Sequence, residues 1–459
     1  MASTKSFETL KHGFAGKVVL PGDGDYDEVR KIWNAMVDKR PAAIARCVST
    51  SDVVKSVNFA REHGIALAVR GAGHHIAGNS LCDDGLVVDL SQMKTVTVDA
   101  GAKRAVAEGG ATLGDLDAAT LAHGLATPLG INSTTGVAGL TLGGGFGWLS
   151  RKYGMTIDNL ESAEMVTAKG EVVRASAKEN PDLFWALRGG SGNFGVVTRF
   201  EYRLHPVGPD LLSGLIVYPF AEAKSVLQQY REFIAKAPPE LSVWTVLRKA
   251  PPLPFLPAEV HGTDVVVLAL LYAGDPTTGE DLVAPLREFG SPVGEHVGVQ
   301  PYAAWQQAFD PLLTPGARNY WKSHNFTKLA DGLLDVVVEY VPTLPSDECE
   351  IFFGALGCAT KEPAPDATAY AHRATEFVMN VHGRWQSAKD DERVIAWCRK
   401  YFDAAAPFAS AGAYVNFLTE DETDRVRNAY GSNYERLAQV KRKYDPDNLF
   451  RVNMNIRPA

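Results

Sequence analysis

Three glycine-rich stretches carry most of the residues that could do chemistry in this chain. The first is Arg70-Gly71-Ala72-Gly73-His74-His75, continuing to Gly78 and Asn79. Small residues here expose successive backbone N–H groups, an arrangement suited to a pyrophosphate, and a histidine stands beside them. A glycine turn next to a surface histidine fits this segment equally well. The adjacent histidines are not a metal pair, because successive side chains diverge on an extended chain. The second stretch runs from Pro128 through Gly130, Asn132, Thr135, Gly136, Gly139, Leu142, Gly143, Gly144 and Gly147 to Trp148. An irregular loop of this length is hard to order without a ligand. Its apolar members suggest burial, where free N–H and C=O groups need partners that a large polar cofactor could supply. No Walker lysine is present, which disfavours a nucleoside triphosphate. The third stretch, Gly190-Ser191-Gly192-Asn193-Phe194-Gly195, matches GxGxxG literally. A dinucleotide fingerprint needs a strand before it and a helix after it. The pattern here predicts the reverse, so a Rossmann site is disfavoured.

The elements around these stretches follow from periodicity and punctuation. Residues 42–48 read as a buried strand, and 49–51 offer helix caps. Val53, Val57 and Ala60 share a helical face that Gly64 terminates. Strands are expected at 65–70 and 86–90, giving a βαβ-type opening. Short strands follow at 96–99 and 105–108, then a capping box at 112–115 and a helix to His123. A hairpin is expected over 160–167 and 171–175, a helix from Pro181 to Arg188, and a strand at 196–204. His205-Pro206-Val207-Gly208-Pro209 reads as a domain junction. Beyond it, strand candidates at 215–218, 242–247, 265–271, 336–340 and 350–356 alternate with helical stretches such as 221–236. Loops at 250–263 and 310–325 are placed to shape a pocket. The tail carries a second capping-box pattern at 432–435 and a helix ended by Asp445-Pro446. The expected fold is α+β, with an antiparallel second sheet covered by helices on one face.

Composition narrows the function classes. The 459 residues carry 46 basic and 54 acidic side chains, a formal net charge of -8, which argues against a nucleic-acid partner. No apolar run is long enough to span a membrane. The polar stretch 1–16 lacks a signal core. Five scattered cysteines without a CxxC pair argue against a zinc site or a disulfide framework, leaving buried reduced thiols in a cytoplasmic protein as the expectation.

Four segments, RGAGHHIAGNS at 70–80, GVAGLTLGGGFGWLSRKYGMTIDNL at 136–160, DLFWALRGGSGNFGVVT at 182–198 and YDPDNLFRVNMNI at 444–456, agree in order and spacing with one family. The chain resembles the berberine bridge enzyme-like branch of the vanillyl-alcohol oxidase (PCMH-type) FAD-linked oxidases over essentially its whole length. Its length is similar to bacterial members. The resemblance implies a two-domain fold: a PCMH-type FAD-binding domain at 1–208, a substrate domain at 209–415, and a C-terminal segment, 416–459, that returns to the first. It implies FAD held by the residues named above together with Val196, Val197, Asn416, Asn453 and Asn455. It further implies an 8α-histidyl bond to His74 rather than to its neighbour His75. Where many relatives place a second, cysteinyl bond this chain has Asn132, so one tether is expected.

The substrate side departs from the family. Relatives often carry Y-x-N-Y, whose last tyrosine serves as the base; here the segment is Tyr414-Val415-Asn416-Phe417, and phenylalanine cannot take a proton. Tyr414, His382, Asn380 and His324 remain as polar candidates. Glu376, Val378, Asn380 and His382 alternate along an expected strand, so Asn380 and His382 share a face. His382 suits a base near neutrality; an ordinary strand histidine is the competing reading. Trp148, Tyr320 and Trp321 fit a pocket wall or a core. The resemblance implies an oxidase that moves hydride from an alcohol or amine C–H of a small molecule to flavin and on to O2, giving H2O2. A flavin-dependent monooxygenase, cyclase or other non-oxidase flavoenzyme is the alternative, and the chain is expected to be a monomer or homodimer.

Overall fold

The computed structural model describes residues 4–410 and 412–459. Of the polar N-terminal stretch, residues 1–3 lie outside that range.

The βαβ opening forms as its punctuation dictates. Helix Thr50–His63 starts at Ser49, whose side chain accepts from the Asp52 amide, and stops at Gly64 in the left-handed conformation. It links strand Ala43–Arg46 into a four-stranded sheet. Leu86–Asp89 pairs parallel with both Ala43–Arg46 and Leu67–Arg70, and Lys17–Val19 adds an antiparallel edge. A five-stranded antiparallel sheet follows, in the order Val96–Asp99, Arg104–Glu108, Val196–Arg203, Leu160–Val166, Val172–Ser176. The box at Thr112 closes reciprocally with Asp115 and starts helix Leu113–Leu121. Helix Pro181–Leu187 precedes the GxGxxG turn and strand Val196–Arg203 follows it, the reverse of a dinucleotide fold.

From Asp210 onward the chain builds a seven-stranded, wholly antiparallel sheet. Its order is Gly294–Pro301, Asp210–Pro219, Asp264–Tyr272, Leu241–Lys249, Glu350–Ala355, Phe377–Trp385, Arg318–Phe326. Helices Ala223–Ile234, Pro276–Val283, Asp331–Tyr340 and Asp391–Ala405 pack with it and with one another.

Several expectations need correction. The segment 336–340 is the end of helix Asp331–Tyr340, not a strand. Its valine run has strand propensity, but burial of Leu333, Leu334 and Val337 follows the helical period, and packing overrides propensity. The loop expected at 310–325 survives only in its first part, because Arg318–Phe326 pairs with Phe377–Trp385. The second capping box does not form. Asn433 does precede helix Tyr434–Tyr444, but its side-chain amide donates to the Pro365, Thr368 and Ala369 carbonyls. Cys358 is half-buried, unlike the other four cysteines. No helix among the described residues is long and apolar enough to cross a membrane.

The C-terminal segment packs into the core of the first lobe, where Tyr430, Leu437, Met454 and Ile456 lie in one cluster with Trp185, Phe194 and Phe200. Lys441 and Asp445 form a fully buried ion pair, 2.7 Å apart. Lys441 Nζ also donates to the Asn193 and Phe450 carbonyls, and Asp445 accepts from the Leu449 and Phe450 amides. Burial pulls the Lys441 ammonium below its ordinary value, and Asp445 opposes that shift. Together they clamp the 190–195 turn to the returning segment. Lys441→Ala leaves a buried carboxylate without its cation and should cost about 3–5 kcal/mol, read from the urea midpoint.

Candidate active site

The roof of the site is one face of the seven-stranded sheet. Antiparallel register aligns residues across neighbouring strands, and the side-chain period of two sends alternate residues to one face. Val265, Arg248, Glu350, His382 and Trp321 are successive register partners, and so form a single row across five strands. Two residues along lies a second row, Val217, Val267, Val246, Phe352 and Asn380. Both rows line a cavity of about 350 Å³ between the sheet and the glycine-rich turns. That size is ordinary for a small-molecule site.

Charge is concentrated at one end of the roof. Arg248 Nη1 donates to Glu350 Oε2 at 2.7 Å, and Glu350 Oε1 lies 3.4 Å from His382 Nδ1. The other ring nitrogen of His382 is 3.2 Å from Asn319 Oδ1. That amide is oriented by its own bonds, since Asn319 Nδ2 donates to the Ala317 carbonyl and Oδ1 accepts from Arg384. Burial pushes the Glu350 carboxyl up, but Arg248 and His382 outweigh it and hold the group below its ordinary value. Burial holds His382 below the ordinary imidazole value against the pull of Glu350. The resulting state is a carboxylate beside a neutral imidazole. A neutral imidazole carries one hydrogen, so it bonds only one of its two facing oxygens, that of Glu350 or that of Asn319. Trp321 closes edge-on over His382, with ring centroids 4.9 Å apart. Asn380, also on this roof, is buried and its Oδ1 has no partner among the described residues.

The floor comes from the glycine stretches. Of the cofactor candidates, Gly71, Ala72, Gly73, His74, His75, Asn79, Gly130, Asn132, Thr135, Gly136, Gly139, Leu142, Trp148, Gly192, Gly195, Val197, Asn416 and Asn453 line the cavity. The remainder stand behind it. Arg70 bonds to the buried Asp89 and to the Val29 carbonyl, anchoring the first turn. Asn193 donates to the Gly190 and Met454 carbonyls and accepts from the Ile456 amide. Gly78, Pro128, Gly143, Gly144, Gly147, Val196 and Asn455 are not cavity-lining. Gly147 is needed for packing, since a Cβ there would sit 1.8 Å from the Leu129 carbonyl oxygen.

His74 stacks on Trp33, with ring centroids 5.2 Å apart. Among the described residues its nitrogens meet only threonine hydroxyls, Thr134 at 2.9 Å and Thr135 at 3.5 Å. Burial lowers its pKa to about 4, so the ring is neutral and nucleophilic at neutral pH. His75 is lowered to about 4 as well, chiefly by burial, but its Nδ1 already accepts from the Ala77 amide. Asn132 accepts from the amide and hydroxyl of Thr134, shaping the turn beneath His74.

Tyr414 lines the cavity, but its oxygen accepts from the Gly145 amide and from Asn416 Nδ2, both at 3.0 Å. Burial raises its pKa to about 12. It pins the 143–145 turn, while Asn416 also donates to the Leu140 carbonyl. His324 stacks on Phe402 and bonds to that residue's carbonyl, away from the cavity. Tyr320 is likewise occupied outside, donating to Asp421. Glu350 opens the apolar strand candidate 350–356, and Arg248 lies one residue beyond the candidate 242–247. The available signal was a carboxylate on the buried face of a strand, which rarely occurs without a partner.

The cavity fits FAD on its own features. A Cβ at Gly139 or Gly192 would meet nothing within 4 Å, so the main chain is bare toward the open space. Ser80 Oγ and Asn453 Oδ1 line it without a partner among the described residues. Residues 41–176 match the family described as FAD binding domain, and 413–457 match berberine and berberine like. An FAD-linked oxidoreductase of Dictyostelium discoideum is 35% identical over 449 residues, covering 96% of this chain and 95% of its own. The chain belongs to the berberine-like FAD-linked oxidoreductases. (R)-6-hydroxynicotine oxidase from Paenarthrobacter nicotinovorans is 32% identical, covering 96% of this chain and 97% of its own. A crystal structure of 6-hydroxy-D-nicotine oxidase from Arthrobacter nicotinovorans superposes with a TM-score of 0.87 at 28% identity, over 97% of this chain and 99% of that one. This oxidoreductase is therefore FAD-dependent. Tyr414→Phe would strand the Gly145 amide and leave Asn416 Nδ2 with its bond to the Leu140 carbonyl. It should cost about 1–3 kcal/mol in chemical denaturation.

Proposed function

We propose that this oxidoreductase is an oxidase of a small alcohol or amine, with FAD tethered at His74 alone and a proton acceptor built from Glu350 and His382. When bound, FAD supplies the hydride acceptor and passes the electron pair to O2, yielding H2O2. The chain's own part is to hold, orient and deprotonate. His74 is the fitting tether, because it is neutral and cavity-facing, and its ring nitrogens bond rotatable hydroxyls. No cysteine among the described residues lines the cavity, which supports a single bond. The backbone of 71–75, the turns around Gly136 and Gly192, and Asn453 would cradle the remainder of the cofactor.

The observation that carries the reading is the buried pairing of the Glu350 carboxylate with the neutral His382 imidazole at the cavity wall, which leaves the pair one proton short of its fully bonded state. The pair can take up a substrate O–H or N–H proton as the C–H bond is broken. The pair titrates as a unit, so the acceptor belongs to both residues. Arg248 offsets the negative charge before the proton arrives. Asn380 Oδ1, without a partner among the described residues, would orient the same donor group. Tyr414 is a positioning residue for the glycine turn. Phe417 needs no proton chemistry in this scheme. It packs against Trp321 and Phe352, with centroids 5.4 and 6.1 Å away.

Two tests follow. Acid-precipitated protein should stay yellow, and His74→Ala should release its colour to the supernatant; a wild-type supernatant that takes all the colour rules out the tether. Glu350→Gln and His382→Ala should each slow anaerobic flavin reduction by about 10²–10⁴-fold. Activity should fall as the pH drops and the pair gains its proton. That acid limb should lie below the ordinary histidine value of 6.5, since burial holds His382 down. Full-rate reduction in Glu350→Gln would exclude the pair.

A further inference from the structure

The cavity roof is asymmetric across the sheet. Its polar groups, Arg248, Glu350, His382 and Asn380, stand on strands Leu241–Lys249, Glu350–Ala355 and Phe377–Trp385. On the other side the cavity extends over Asp264–Tyr272 and Asp210–Pro219, where the lining side chains are Val265, Val267, Ala269, Leu215 and Val217. Val246 continues this surface, and the loop residues Leu253 and Leu256 wall it from outside. None of these side chains has a hydrogen-bonding group, and the strand backbones are engaged in their ladders. A sugar, a phosphate or an adenine seated there would lose its hydration without compensation. Leu215, Val246 and Leu253 nevertheless remain partly accessible, so their own packing does not close the space.

We infer that the substrate is amphiphilic: its reacting O–H or N–H end lies under Glu350, His382 and Asn380, and an apolar extension runs beneath Val246, Val267 and Val217. This deepens the oxidase reading and rests on it for the identity of the reacting end. At about 4.8 Å per strand, the aliphatic region spans roughly 10 Å from Val246 to Val217. That accommodates an extended chain of roughly six to eight carbons at ~1.5 Å per bond, or a ring system of similar length. The extension crosses the strands rather than following one, because Val246, Val267 and Val217 are register partners. Carbohydrates are excluded from this half of the cavity by the same argument.

The test uses the flavin-loaded protein and two series of probes, 4-n-alkylbenzyl alcohols and 4-n-alkylbenzylamines from methyl to hexyl. Binding is read by calorimetry and turnover by peroxide release. Affinity should rise by about fourfold per methylene while the chain still lengthens into the region. Val267→Asp should reduce the hexyl-to-methyl affinity ratio at least tenfold. Should that variant not fold, Leu253→Ser in the outer loop should lower the same ratio. Glu350→Gln should leave the ratio unchanged, because it alters only the polar end. Affinity that is flat or declining with chain length overturns the inference, as does an unchanged ratio in whichever variant folds. Steepening affinity without peroxide from any probe would sink the oxidase reading and leave the apolar chamber standing. Peroxide with flat affinity would do the opposite.

Discussion

A carboxylate and an imidazole kept side by side in a cavity lined mainly by apolar groups are the costly feature around which the rest is arranged. Each would be expelled or neutralised if buried alone. Arg248 on one neighbouring strand makes the Glu350 charge tolerable, and Asn319 meets the far side of His382. The alignment is produced by strand register: a one-residue slip between Glu350–Ala355 and Phe377–Trp385 would send one partner through to the helical face. Antiparallel pairing across seven strands makes that slip expensive, since every row would have to move. The sheet thus works as a rigid jig, and its chemistry depends on the order in which strands were laid side by side.

The opposite wall solves a different problem. Bare main chain must approach a large ligand, and bare main chain is floppy. Side chains from distant segments hold it still. Tyr414 and Asn416 secure the 140–145 region, Arg70 fastens the histidine turn to Asp89, and the Lys441–Asp445 pair fixes the 190–195 turn. Ser133 is tied to Asp310 by its amide, at 2.9 Å, and by its hydroxyl, which joins the floor to the turn that precedes strand Arg318–Phe326. Many conspicuous polar residues near the cavity are therefore fasteners.

Much of this was legible in the residues. Caps at Ser49, Thr112 and Gly64 locate helices because capping is local chemistry. The alternation at 376–382 placed Asn380 and His382 on one face, and both reach the cavity. Partnership between strands was not legible. Glu350 belongs with His382 only through register between segments 32 residues apart, and with Arg248 across 102. Periodicity within one segment carries no information on such pairing. The valine run at 336–338 misleads for a related reason: local propensity favours a strand, while Leu333, Leu334 and Val337 bury as a helix against the sheet. Tyr414 looked catalytic by type, and only its two donors identify its engagement with the turn.

The returning C-terminal segment has a consequence for biosynthesis. Met454 and Ile456 share a core with Phe200 and Tyr202, and Lys441 bonds the carbonyl of Asn193. During translation, the amino-terminal lobe emerges from the ribosome some 250 residues before these partners do. Its 140–145 and 190–195 turns must wait for these fasteners while the entire seven-stranded sheet is synthesised. Closure of these turns around the cavity is thereby coupled to synthesis of the segment from Tyr414 to Ile456.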